Sequence, residues 1–295
     1  MAAYTAKDVS SLRQRTGAGM MDCKKALEEN NGDIEQAVEW LRKKGIARAE
    51  SRAGRTASEG QIVALTSPDG RTGVLVELNS ETDFVARNES FGQTAYQIAN
   101  AVHDHKETDG IVHNAEGSPI MAVAFGESAS LAEALKMLTG TIGENIVLRR
   151  YARLSGEGAV GTYVHHNGKV AALVEIAGAS GEAAQQVAKT IAEHVAAGVP
   201  SVPVAVNRSD VPADLVDRER RIFSEQAAAS GKPENIIAKM VDGRIDKYYK
   251  EVTLVDQPWV RDDSKTIRQL VADAAKASGG QVAIKRFARF QMGQE

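Results

Sequence analysis

The feature that most constrains this chain is a pattern that occurs twice. Gly60–Leu78 reads as a strand, a Pro68-Asp69-Gly70 turn and a second strand, with β-branched residues on both sides of the turn. Gly161–Ile176 repeats that plan around Asn167-Gly168, and Leu173-Val174-Glu175-Ile176 matches Leu75-Val76-Glu77-Leu78. A helical pattern follows each hairpin: Phe91 to about Val102 after the first, Gly181 to about Ala197 after the second. In the second, Ala184, Val187, Ile191 and Val195 share one face. An isolated hairpin is marginal in water and needs a covering layer. Two hairpin-plus-helix units descended from one ancestral unit therefore predict an α+β core of two related subdomains.

Other segments attach to this core. Residues 5–45 carry three short apolar stripes. Thr5 and Asp8 form a capping-box-like pair before Val9 and Leu12. A second helix runs from about Met21 to Asn30 with Cys23, Ala26 and Leu27 inward, and a third carries Ile34, Val38 and Leu41 and ends at Gly45. Residues 46–59 read as a polar connector that starts helical. Within the first unit, Ser128–Leu138 is amphipathic and Glu144–Tyr151 reads as a strand. Ser209–Ser230 and Pro233–Tyr249, joined by Ser230-Gly231-Lys232-Pro233, predict an antiparallel helical arm. Its facing residues would be Leu215, Ile222 and Phe223 against Ile237, Met240, Val241 and Ile245. A short helix over Lys265–Lys276, Gly279-Gly280 and a strand over Gln281–Phe290 return to the core. The expected division is 1–55 helical domain and connector, 56–150 first core subdomain, and 151–208 the first part of the second. Residues 209–252 form the arm, and 253–295 the return and tail.

A chain of 295 residues with 43% apolar and 25% charged residues can bury a real core. The net charge of −3 argues against a dedicated nucleic-acid binder, because phosphate neutralisation needs a cationic surplus. Cys23 is the single cysteine, so no internal disulfide and no thiolate metal cage can form. Met1–Asp8 lacks an apolar signal core, and no run of about eighteen apolar residues occurs anywhere. A cytoplasmic protein is expected, with no membrane contact.

Most candidate chemistry fails on local context. Gly156-Glu157-Gly158-Ala159-Val160-Gly161 spells a dinucleotide fingerprint, but a strand follows where the motif needs a helix N-terminus, so a flexible lead-in to the second hairpin is expected. Gly231-Lys232 lacks the preceding glycine of a phosphate loop and runs into Pro233. His103, His105 and His113, with Asp104 and Asp109, have the right atoms for zinc but no ligand spacing. His165 and His166, adjacent on a predicted strand, should face opposite sides. Cys23 on an apolar stripe reads as a buried thiol. More informative is Asn79–Asn88, leaving the first hairpin at its open end with an aromatic beside an acid. Two readings of it stand open: Thr82 caps a helix while Phe84 packs inward, or Asp83 and Phe84 project as a wedge into a partner.

Several blocks resemble the bacterial elongation factor Ts family, the guanine-nucleotide exchange partners of elongation factor Tu. They are Leu12–Leu27, Thr82–Arg87, Ile142–Asn145, Ser230–Pro233 and Lys239–Arg244, in family order across nearly the whole chain. The resemblance implies a ubiquitin-associated-like (UBA-like) N-terminal domain, two related α+β core subdomains and an inserted antiparallel coiled-coil arm. It assigns Thr82, Asp83, Phe84 and Val85 to dislocation of the magnesium ion in the partner. Further partner contacts would fall on Arg13, Met20, Met21, Ile142, Gly143 and His165, with His166 competing for the last role. Met20 and Met21 as core, and Ile142-Gly143 as a plain turn, are the alternatives. Some relatives continue beyond Gln291–Glu295 into another partner-contacting helix, so here the N-terminal and core contacts are expected to suffice.

The implied function is translation elongation by exchange: binding elongation factor Tu with GDP, releasing the GDP and admitting GTP, with no catalytic side chain, cofactor, metal or direct nucleic-acid contact of its own. A heterotetramer built on two copies of this chain is compatible with that role. Two rivals belong to other classes: a metal-dependent hydrolase on His103, His105 and His113, and an RNA-associated module on Arg48, Arg52 and Arg55.

Overall fold

The computed structural model describes residues 4–229, 233–278 and 280–294; the Ser230-Gly231-Lys232 joint, Gly279, Met1-Ala2-Ala3 and Glu295 lie outside the described residues. In chain order come α1 (Ala6–Thr16), α2 (Met20–Glu29), α3 (Ile34–Glu50), β1 (Glu59–Thr66), β2 (Thr72–Ser80), α4 (Asp83–Ala86) and α5 (Glu89–Asp104). Then follow β3 (Gly110–Val112), α6 (Leu131–Ile142), β4 (Val147–Ser155), β5 (Ala159–Val164), β6 (Val170–Ala177) and α7 (Glu182–Ala197). The chain closes with α8 (Ala213–Ala228), α9 (Glu234–Val252), β7 (Pro258–Trp259), β8 (Asp262–Thr266), α10 (Ile267–Ser278) and β9 (Ala283–Gln291).

Helices α1 to α3 close on Val9, Leu12, Cys23, Ala26, Leu27 and Leu41, with the Thr5–Asp8 capping box in place and Asp33 capping α3. The stop expected at Gly45 is overturned: α3 continues to Glu50. Gly45 lies where α6 crosses, and a Cβ built on Gly140 would stand 2.5 Å from the Gly45 Cα. These glycines let two helix backbones touch, and that contact outweighs the roughly 1 kcal/mol that glycine costs a helix interior.

The core consists of two antiparallel sheets, ordered β1-β2-β4-β3 and β5-β6-β9. Ile62, Leu75, Ala152 and Leu154 of the first meet Val160, Leu173, Ala288 and Phe290 of the second in one buried layer. On the outer faces α5 and α6 cover Val63, Val74, Val76 and Leu78, while α7 covers Ala172, Val174 and Ile176. The order of layers is helix, sheet, sheet, helix. That explains why β2 is buried along its whole length instead of alternating.

The duplication runs deeper than the hairpins. Glu77 faces Ile62 on one side and Arg150 on the other; Glu175 faces Val160 and Arg286; and each ladder shifts register directly after its glutamate. The closing strands repeat an Arg-aromatic-Ala-Arg run, Arg150-Tyr151-Ala152-Arg153 and Arg286-Phe287-Ala288-Arg289. This register also corrects the alignment of the copies, because the counterpart of Gly60 is Gly158, not Gly161. A Cβ on Gly60 would fall 2.1 Å from the Leu78 carbonyl oxygen, and one on Gly158 would fall 2.0 Å from that of Ile176. The Gly156–Gly161 run is therefore a close-packed corner, with Val160 N–H donating to the Gly70 carbonyl at 2.8 Å, and not a flexible lead-in.

Helices α8 and α9 pack antiparallel: Val216 lies with Tyr248, Tyr249 and Val252 at one end, and Phe223 and Ala227 with Ile237, Val241 and Ile245 further out. Ile222 is exposed, and Leu215 and Met240 are half-buried outside this seam. On α8 the expected Phe223 lies in the seam, but Val216 and Ala227 take the places given to Leu215 and Ile222; on α9 Ile237, Val241 and Ile245 face it as expected. At the base of the pair, the buried His194 of α7 takes the Val260 N–H on Nδ1 at 3.2 Å and meets Gln257 Oε1 through Nε2 at 2.9 Å.

Candidate functional site

The segment leaving β2 folds into one helical turn, α4. Thr82 caps it, its Oγ1 accepting the Val85 N–H at 3.4 Å, and Gln61 of β1 donates to the Ala86 carbonyl. Val85 packs against the first core cluster and Ala86 is buried. Residues 82, 85 and 86 thus anchor one side of the turn, and Phe84 is left on the other. Phe84 is 84% exposed, so it does not pack inward, while the helix cap expected of Thr82 is present. Beside it, Asp83 pairs with Arg87 at 3.0 Å.

The loop between α6 and β4 grips this turn from behind. Glu144 Oε2 accepts the N–H groups of Glu81 at 3.1 Å and Thr82 at 3.0 Å, and its Oε1 accepts the Thr82 hydroxyl at 2.5 Å. In return Glu81 Oε1 accepts the Asn145 N–H at 2.7 Å. Asn145 also donates to the Arg55 carbonyl at 2.7 Å, and Arg55 lies 3.6 Å from Glu81. Neither glutamate stands out in the sequence as a residue with a role. The available signal was the invitation in Ile142-Gly143-Glu144-Asn145: a helix end followed at once by an acid.

Ile142 ends α6 half-buried, and Gly143 is its left-handed cap at φ 86°, donating to the Thr139 carbonyl at 2.9 Å. A groove of about 700 Å³ separates these residues from the end of α1, with Ile142 and Leu138 on one wall and Arg15 and Gly17 on the other. Met20 and Met21 open α2 with 56% and 74% of their surface exposed, and Arg13 is exposed on α1. Neither methionine is core.

His165 and His166 do not face opposite sides. Strand β5 ends at Val164, and the turn begins at His165, whose N–H donates to the Val170 carbonyl; the two rings lie 4.2 Å apart. Strand alternation stops where the turn starts, so the period-2 argument did not apply. His165 is half-buried with its Nδ1 3.1 Å from the Tyr163 hydroxyl, and His166 is exposed. This turn reaches β1 through the Ile62 N–H, which donates to the Gly168 carbonyl at 3.0 Å.

The rival constellations disperse. His103 Nδ1 contacts Asp104 at 2.9 Å and His105 Nδ1 the Ala101 carbonyl at 2.8 Å; among the described residues no three His, Cys, Asp or Glu side chains could hold a metal ion. Arg48 binds Asp22 at 2.7 Å and Arg55 faces Glu81, so two of the three connector arginines are engaged by acids. Cys23 is buried, and desolvation raises its thiol pKa. Among the described residues no helix is long and apolar enough to cross a membrane.

Fold and site together define a protein that holds an aromatic side chain out of a layered α+β core. The profile of the family described as Elongation factor TS matches residues 81–294. Similar proteins include Elongation factor Ts of Bartonella bacilliformis, 46% identical over 297 residues covering 98% of this chain and 93% of that protein. Elongation factor Ts of Prosthecochloris aestuarii is 42% identical, covering 99% and 100%. That of Trichlorobacter lovleyi is 42% identical, covering 99% and 93%. The chain belongs to the elongation factor Ts family of translation elongation factors.

Proposed function

We propose that this chain is a guanine-nucleotide exchange factor: it binds elongation factor Tu carrying GDP and promotes GDP release by disturbing the magnesium and phosphate site, so that GTP can bind. The observation that carries the reading is the exposure of Phe84 on an anchored turn beside Asp83. A large apolar ring held in water gains by burial in a partner, and a carboxylate next to it competes with phosphate oxygens for a divalent cation. Thr82 and Val85 hold the turn that presents them. Arg13, Met20, Met21, Ile142, Gly143 and His165 supply the remaining contacts, in which the exposed methionines serve as adaptable apolar anchors.

Exchange of this kind needs no covalent step. It needs a surface whose bound form excludes tightly held GDP with magnesium, and the exclusion is reciprocal: nucleotide weakens this protein's binding by the factor by which the protein weakens nucleotide's. Incoming GTP therefore completes the cycle by displacing it. In this reading the protein is cytoplasmic and needs no cofactor. Residues 1–55 act as a UBA-like domain and connector, 56–150 and 151–208 with 253–295 as the two core subdomains, and 209–252 as a coiled-coil arm. A heterotetramer of two such chains with two partners is compatible with it.

The test is stopped-flow release of a fluorescent GDP analogue from elongation factor Tu. Phe84→Ala is expected to slow release roughly 10- to 100-fold, the equivalent of about 1.5–3 kcal/mol for a lost aromatic burial. Release by the variant at the unmodified protein's rate would remove the projection from the mechanism.

A further inference from the structure

The carboxylates behind α4 form a reciprocal clasp. Glu144 accepts three hydrogen bonds from the Glu81-Thr82 segment, and Glu81 accepts one from Asn145 and faces Arg55. Three stretches far apart in sequence meet there: the connector after α3, the segment carrying Phe84, and the α6–β4 loop that follows Ile142 and Gly143. Nothing in the packing of the core requires this arrangement. Val85 and Ala86 already fasten the turn to the apolar cluster, and solvent could satisfy the backbone N–H groups of Glu81 and Thr82, which are only half-buried. What the clasp adds is direction. A single helical turn has too few internal hydrogen bonds to hold its own orientation, whereas the Glu144 carboxylate on the consecutive Glu81 and Thr82 N–H groups, with Glu81 answering on the Asn145 N–H, fixes the angle at which the next side chains leave.

We infer that Glu144 and Glu81 are positioning residues for exchange: they aim Phe84 and fix its distance from the Ile142-Gly143 turn, so that the two enter the partner as one unit. Of the other proposed contacts, Arg13, Met20 and Met21 sit on α1 and α2 and share no hydrogen bond with the clasp. Loss of the clasp therefore leaves these N-terminal contacts in place and chiefly impairs the step in which the ring displaces partner structure. This inference rests on the proposed function, and the experiment separates the two.

The maximal rate of GDP release from elongation factor Tu at saturating factor, and the factor concentration giving half that rate, are measured for the unmodified protein, Glu144→Gln, Phe84→Ala and the double variant. The glutamine keeps the shape of Glu144 but turns one acceptor oxygen into a donor. Expected is a roughly tenfold lower maximal rate for Glu144→Gln, of the order that small misplacement of a positioned group produces. The half-saturating concentration should stay within about twofold, because association and the nucleotide-release step separate in this way. In the Phe84→Ala background, Glu144→Gln should have no further effect, since a ring that is absent cannot be misaimed. An undiminished rate for Glu144→Gln, or an equal loss with and without Phe84, overturns the inference while leaving the proposed function in place. No effect of Phe84→Ala overturns both. Should Glu144→Gln fail to fold by circular dichroism, Glu81→Ala cuts the reciprocal half of the clasp, and the same non-additivity with Phe84→Ala is required of it.

Discussion

The exits of the two repeats differ where the scaffolds agree. After β2 the chain runs Glu81-Thr82-Asp83-Phe84, bonded to Glu144 at its start and leaving Phe84 exposed. At the matching place after β6 it runs Ala179-Ser180-Gly181-Glu182 and starts close against the lead-in to β9: a Cβ on the preceding Gly178, at φ +85°, would fall 1.6 Å from the Gln281 carbonyl oxygen, and Ala179 packs on the second cluster. The turns at the other ends of the hairpins are the same, with Ser67 N–H to Thr72 and His165 N–H to Val170 both at 2.8 Å. Strand pairing is thus conserved between the halves while the connections carry what distinguishes them: the projecting ring in the first, the helix pair α8 and α9 in the second. Loops on a rigid scaffold can change without unpairing the sheet.

The buried acid–base pairs offer the sharpest way to break this comparison. Glu77 and Arg150 lie 2.6 Å apart with side chains 2% and 5% exposed, and the guanidinium also donates to the Gln291 carbonyl and stacks 4.6 Å from the Phe290 ring. Arg150→Ala leaves a buried carboxylate without its partner, and a loss of about 3–5 kcal/mol is expected in urea unfolding. Arg286→Ala should cost about 1–2 kcal/mol, because Lys285 remains 3.0 Å from Glu175. Equal losses would show that the two pairs are equivalent after all. Next in size is Gly161→Ala: a Cβ there would fall 2.1 Å from the Lys189 backbone nitrogen in α7, whereas the first repeat has Val63 in the corresponding register. Overpacking should cost about 1–3 kcal/mol and lower the melting temperature. An unchanged melting temperature would mean that α7 can move away freely.

The smallest effect is one of pH. Helix α7 buries His194 while α5 buries no titratable side chain, and desolvation lowers the His194 pKa below the ordinary 6.5, against the raising effect of its bond to Gln257. The unfolded imidazole then takes up a proton before the folded one does. Its contribution to stability is complete above about pH 6.5 and declines as pH falls below that value. With Trp40→Phe removing the other tryptophan, Trp259 emission should report loosening of the second repeat on mild acidification. His194→Gln should flatten that response, and a response that persists in the variant would assign it elsewhere.

Much of the secondary structure was legible because local chemistry decides it. The Thr5–Asp8 box starts α1, and Asp69-Gly70 and Asn167-Gly168 turn the hairpins in any context, since glycine alone enters the left-handed region freely. Where readings failed, a distant segment had overruled the local signal. Gly45 stops no helix because Gly140 packs against it, Val216 replaces Leu215 because α9 selects the face of α8, and the adjacent histidines share a side because a turn begins between strand and loop.

By itself the sequence determined the repeated hairpins, the helical N-terminal segment, the arm and the motif blocks of the family, all written in contiguous residues. Only the tertiary structure decided that the two sheets stack face to face, that Phe84 is exposed, and that Glu144 meets the Glu81-Thr82 segment behind it. Burial and direction are properties of what lies across from a residue, and Thr82 and Glu144 meet across 62 positions of chain, a separation at which local pattern carries no information.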